Sequence, residues 1–157
     1  MALVANINRE TRGGIADPIA KSSIAIHYPR QKILLIDDDP LTQRLVKHSL
    51  EHAGYETIVA SNRADSMAML ESEHPDLIIM DVIMPEVKGL EAVRRIKRTE
   101  HTHQIPVIIV TANTEYYEVG RLEAFGSGAS AFLTKPISVT KLLRELDRLI
   151  GQRWLAA

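Results

Sequence analysis

Five short apolar runs alternate with amphipathic stretches from Lys32 onward, and that alternation limits the folds open to this chain. The runs are Lys32–Ile36, Glu56–Ala60, Leu77–Met80, Val107–Val110 and Ala131–Thr134. The first, third and fourth are rich in Ile, Val and Leu, the composition of strands covered on both faces. The second is weaker and is expected at an edge. Between the runs, apolar residues recur at helical spacing: Leu41, Leu45, Val46 and Leu50, then Ala64, Met67, Ala68 and Leu70, then Leu90, Val93 and Ile96. A fourth helix is expected over Thr114 to Phe125, and Val139, Leu142, Leu143, Leu146, Leu149 and Ile150 mark a fifth. Gly54, Pro75 and Gly126 stop the first, second and fourth. Repeated βα units of this length predict an α/β doubly wound fold, a parallel five-stranded sheet with right-handed crossovers and helices on both faces.

In such sheets ligands bind outside the carboxyl ends of the strands, where the strand order reverses. Four of the runs end there in a residue suited to handling a phosphoryl group. KILLIDDDP (Lys32 to Pro40) brings Asp37 and Asp38, and DLIIMDVIMP (Asp76 to Pro85) brings Asp81. PVIIVTAN (Pro106 to Asn113) brings Thr111, and AFLTKP (Ala131 to Pro136) brings Lys135. Three clustered carboxylates repel one another unless a divalent cation neutralises them. A cation, a carboxylate nucleophile, a hydroxyl and an ammonium make a set for phosphoryl transfer onto aspartate.

Each residue also has a plainer reading. Asp39, before Pro40, suits a helix N-cap; Asp37 and Asp38 exceed what a cap needs and read as a cation site. A strand-terminal aspartate often opens a turn. After Asp81, however, Val82 to Met84 are apolar and Pro85 fixes the exit of the loop, which places the carboxylate for in-line attack. Taken singly, Thr111 reads as a β-branched strand residue and Lys135 as a solvated loop lysine. Pro136 favours an extended Lys135. Phe132 reads equally as core packing or as a switch.

The formal net charge of −1 gives no electrostatic reason to bind nucleic acid or a membrane surface. There is no cysteine, and Arg9, Glu10 and Arg12 interrupt any signal-peptide core. No apolar segment nears the ~20 residues of a membrane helix. A cytoplasmic location is therefore expected. Residues 1–30, punctuated by Gly13-Gly14, Asp17-Pro18 and Tyr28-Pro29, sustain no periodicity and read as a flexible N-terminal extension. Ser23 to Ile26 reads alternatively as an edge strand or a docking segment. The domain is expected over 31–150, with 151–157 as a C-terminal tail.

The segments IDDDP, MDVIMPEVKGLE, VIIVTAN and GASAFLTKP, in that order, resemble the receiver domain of two-component response regulators, over about residues 32 to 150. The resemblance implies a flavodoxin-like strand order of 2-1-3-4-5. It implies that Asp81 is the phosphoacceptor, served by a histidine kinase or a histidine phosphotransfer protein. It further implies Mg²⁺ held by Asp38 directly, by Asp37 through a water, by Asp81 and by the Ile83 backbone carbonyl. Thr111 and Lys135 would then contact the phosphoryl group, and Phe132 would follow Thr111 as the aromatic switch, in the place of the family's tyrosine. The Lys135-Pro136 bond is expected to be cis. Lys88 departs from the family, which usually has an acid before this glycine. The apolar Ile83, which with Asn113 flanks the water route, points to slow self-dephosphorylation.

The function that follows is a phospho-aspartate switch rather than an enzyme, signalling by protein–protein contact through residues about 114–150. Only Gly151 to Ala157 follow the fifth helix, so a stand-alone switch is expected; a longer gene would leave the output open. Dimerisation on phosphorylation is left open. A haloacid-dehalogenase-type phosphatase needs Asp-x-Asp-x-Thr, and the register Asp37, Asp39, Leu41 fails at its last position. A flavodoxin would need hydroxyls and glycine in the first loop, where three aspartates repel FMN. A pseudo-receiver serving only as an interaction module is the remaining alternative.

Overall fold

Alternate residues of each central strand face opposite sides of one sheet, and both sides are covered. The computed structural model describes residues 30–84, 87–112 and 117–155. Its elements run β1 (Lys32–Ile36), α1 (Pro40–His52), β2 (Glu56–Ala60), α2 (Arg63–Glu73), β3 (Leu77–Asp81), β4 (Ile83–Met84), β5 (Val87–Lys88), α3 (Gly89–Arg98), β6 (Val107–Thr111), α4 (Tyr117–Gly126), β7 (Ala131–Thr134) and α5 (Val139–Leu155). The main sheet is parallel with order β2-β1-β3-β6-β7. Setting aside the two-residue antiparallel ladder of β4 and β5, this is the expected 2-1-3-4-5, with the weaker strand β2 at an edge.

Leu34, Ile36, Ile78, Met80, Val107 and Ile109 face one way and meet Leu70 of α2, Val93 and Ile96 of α3 and Ala124 of α4. Ile33, Leu35, Leu77, Ile79, Ile108 and Val110 face the other way, onto Val46 and Leu50 of α1 and Leu142, Leu146 and Ile150 of α5. The period of two in the strands and of 3.6 in the helices thus closes two cores on one sheet. Helix α1 ends where Gly54 takes a φ of +96°, a conformation open to glycine without a Cβ penalty.

Several expectations need correction. Leu41 and Leu45 are 74% and 49% exposed: at 3.6 residues per turn they face away from the buried Val46 and Leu50, so the expected single α1 stripe is two faces and only one meets the core. In α2, Ala64 and Ala68 are exposed while Ser66 is buried, its hydroxyl donating to the Arg63 carbonyl at 2.8 Å. A small side chain with an internal partner can thus lie under a helix as alanine would. Helix α5 continues to Leu155 through residues expected as a tail. Gly151 costs a helix interior only about 1 kcal/mol, too little to stop an established helix. Residues 1–29 of the extension expected over 1–30, including Ser23 to Ile26, lie outside the described residues, as do Pro85, Asn113, the expected start of the fourth helix at Thr114 and the last two residues. Among the described residues no helix is long and apolar enough to cross a membrane.

Candidate functional site

Strands β1 and β3 flank the point where the chain reverses its direction across the sheet, and acids follow or end both. Asp37 and Asp38 come directly after β1, and Asp81 is the last residue of β3. Carboxylate oxygens of Asp37, Asp38 and Asp81 all lie within 4.8 Å of one another. Asp37 and Asp81 are buried, and Asp38 is exposed. Asp39 departs from this cluster to cap α1, accepting from the Thr42 amide at 3.0 Å and the Thr42 hydroxyl at 2.6 Å. The Thr42 hydroxyl bond, then its amide, draws the Asp39 pKa below the ordinary value.

The Lys135 ammonium, carried just beyond β7, joins the two buried acids. Its Nζ lies 2.8 Å from Asp37 Oδ2 and 2.7 Å from Asp81 Oδ2. The remaining oxygens are held by backbone: Asp37 Oδ1 accepts from the Asp39 amide and Asp81 Oδ1 from the Ile83 amide, both at 2.8 Å. Burial pushes the Asp37 pKa up; the Lys135 and Asp39 bonds oppose this in part, and the Asp81 charge adds to it. For Lys135 burial works against the charged form, but the bonds to Asp37 and Asp81 outweigh it and leave the pKa raised. The ammonium is thus held charged between two carboxylates.

Thr111 ends β6, buried, and its carbonyl accepts the Lys135 amide at 2.8 Å. It is paired in register with Thr134, and Phe132 with Ile109 two residues earlier. Phe132 is partly buried against the core on the α2–α4 side. The Lys135-Pro136 bond is cis. The Ile83 side chain is 51% exposed. One contributor escaped the sequence reading: Gln43 Nε2 donates to the Asp37 carbonyl at 2.6 Å and to Ser61 Oγ at 3.0 Å, bracing the β1–α1 loop on the β2–α2 loop. A single polar residue in a helix's first turn gives no signal that separates this from a solvated one.

Three carboxylates within reach of one point, all hard oxygen donors, fit a divalent cation such as Mg²⁺. The arrangement can therefore gather a cation and an ammonium around a carboxylate held by one amide.

Residues 33–147 match the response regulator receiver domain family. The chain is 37% identical over 119 residues to the DNA-binding dual master transcriptional regulator RpaA of Synechocystis sp., covering 76% of this chain and 48% of that protein. It thus spans about half the length of that relative. It is 33% identical over 121 residues to the polar-differentiation response regulator DivK of Brucella ovis, covering 77% of this chain and 97% of DivK. The structure of the chemotaxis response regulator CheY4 of Vibrio cholerae is similar, with a TM-score of 0.70 and 30% identity over 77% of this chain and 99% of that one.

Proposed function

The chain belongs to the receiver domain family of response regulators, and on that premise we propose that it is a Mg²⁺-dependent phospho-aspartate switch with Asp81 as acceptor. Receivers are signalling switches of two-component systems rather than conventional enzymes. One Asp81 oxygen attacks the phosphorus of a phosphohistidine on a histidine kinase or phosphotransfer protein. The P–N bond breaks, and the imidazole nitrogen keeps its electron pair. The observation that carries this reading is the joining of Asp37 and Asp81 through Lys135, with Asp38 beside them. Mg²⁺, held by Asp37, Asp38, Asp81 and the Ile83 carbonyl, would neutralise charge on the phosphoryl oxygens.

Once Asp81 carries the phosphoryl group, Lys135 exchanges its carboxylate bond for a phosphoryl oxygen, and the Thr111 hydroxyl closes on another. Phe132, on the neighbouring strand, follows Thr111. The switch is a population shift, because the full set of contacts forms only in the active arrangement. A partner that binds the active surface must favour phosphorylation in return. That surface is proposed over residues about 114–150, where Leu122 and Phe125 of α4 are exposed.

Intact mass after acetyl phosphate treatment tests the chemistry. The expected result is one added phosphoryl group in Mg²⁺, absent in EDTA and absent in Asp81→Asn. No gain under any condition would leave the chain as a pseudo-receiver that acts by binding alone.

A further inference from the structure

The exposed face of α3 carries three arginines. Arg94, Arg95 and Arg98 are exposed, and none forms a salt bridge among the described residues. Lys97, the remaining cation of the helix, turns inward and donates to the carbonyls of Ile105 at 2.6 Å and His103 at 3.2 Å. On a helix, residues four apart stand in one row, so Leu90, Arg94 and Arg98 align and Arg95 stands beside them. A groove of about 500 Å³, lined by Val82, Gly89, Leu90, Glu91 and Arg94, opens at the N-terminal end of this row. Its walls are apolar at Val82 and Leu90; Glu91 adds one carboxylate, which the three arginines outnumber where the row begins at Arg94.

We infer that this groove and arginine row form a docking site for an acidic peptide segment of a partner protein, with one apolar side chain in the groove and carboxylates along the row. Charge complementarity selects the occupant. The whole chain has a net charge of −1, so the positive charge of α3 is local and suits a short acidic segment better than an extended polyanion. An apolar pocket continuous with the cations gives a peptide side chain a place that a sugar-phosphate backbone does not use. Residues 1–29 of this chain are a poor match, because they hold Arg9, Arg12 and Lys21 against only Glu10 and Asp17. Guanidiniums engage carboxylates bidentately, so the row also sets the spacing of the acids. The groove wall Val82 is the residue after Asp81, so a docked peptide touches the loop that carries the central carboxylate.

The site is independent of whether Asp81 accepts a phosphoryl group, and its test needs no phosphorylation. A random-peptide library is selected on the immobilised full chain, and enriched peptides are measured by fluorescence anisotropy. The comparison proteins are Arg94→Glu/Arg95→Glu/Arg98→Glu and the milder triple Gln variant, each checked by thermal melting. Enriched peptides are expected to combine clustered Asp or Glu with one large apolar residue. They should lose at least about tenfold in affinity on charge reversal, and a comparable factor when the apolar residue becomes Ser. Three outcomes overturn the proposal: no acidic enrichment, equal binding to the charge-altered variants, or a DNA duplex that binds more tightly than the selected peptides.

Discussion

Asp81 and Lys135, 54 positions apart in sequence, meet at 2.7 Å although β6 lies between β3, which ends at Asp81, and β7, which ends just before Lys135. The same ammonium reaches Asp37, whose pKa is raised chiefly by burial. A carboxyl raised in the folded state binds more protons there than in the unfolded chain. Stability therefore falls as pH rises from the ordinary carboxyl value through the folded one. Lys135, itself raised, opposes this loss and keeps doing so until pH rises through its own folded value. Lys135→Met should cost ~1–3 kcal/mol at pH 7 in EDTA, less than a fully buried broken pair, since Asp37 can take up a proton instead. Urea denaturation at pH 7 and at pH 5 checks this. The deficit should shrink at pH 5, and an equal deficit at both would exclude the account.

Mg²⁺ should stabilise the fold by taking over part of the neutralisation that Lys135 provides. At ten times its dissociation constant a ligand adds about 1.4 kcal/mol. Because its ligands must be ionised, the shift in melting temperature should be larger at pH 7 than at pH 5. Asp38→Asn should lose most of it without the fold suffering, since Asp38 is exposed. A shift that survives Asp38→Asn would place the cation elsewhere.

The strands were legible because their signal is local. All five main strands begin where expected, and β3 and β6 end one residue later, at Asp81 and Thr111. Those residues take the last ladder positions although their side chains belong to the site. Helix faces were less legible, because apolar residues occur on both sides of α1 and only one side meets the sheet. At 3.6 residues per turn Leu41 and Leu45 lie on the far side of α1 from Val46 and Leu50, and they project into solvent. The β4–β5 ladder was invisible, as two-residue strands carry no period. The site's carboxylates could be placed at one sheet edge from sequence. The bridging of Asp37 to Asp81 by a single ammonium could not, because it depends on a side chain's reach across β6.

Ile83 should make the phosphoryl group long-lived. Its exposed side chain offers no polar atom to orient an attacking water. Phosphoryl loss from the treated chain, followed by mass over time, should take minutes or longer. Ile83→Asn should accelerate it, because the amide oxygen can accept a hydrogen bond from an attacking water and orient it. A lifetime of seconds in the wild type would remove the argument.

Thr57 is buried in β2, and its hydroxyl finds no partner among the described residues. Thr57→Val keeps the shape and removes the unsatisfied group, so it should stabilise the fold by about 1 kcal/mol. A rise in the urea midpoint without a change in slope is the expected result. A fall would show that the hydroxyl has a partner in solution.

Gly89 is required by contact. A Cβ there would lie 2.4 Å from Val82 Cα and 2.5 Å from Val82 Cβ, atoms fixed to the backbone that cannot rotate away. Val82 stands between Asp81 and Ile83, whose amide holds Asp81 Oδ1. Pushing Val82 therefore both strains the start of α3 and loosens the acceptor carboxylate. Gly89→Ala should destabilise by ~1–3 kcal/mol, the usual cost of overpacking, and should also slow phosphorylation by acetyl phosphate. Gly120, within α4, meets nothing within 4 Å at its Cβ position. Gly120→Ala should stabilise by about 0.5–1 kcal/mol through helix propensity. Opposite signs in parallel urea titrations are the expected outcome, and matching signs would show that the close approach of Val82 does not govern position 89.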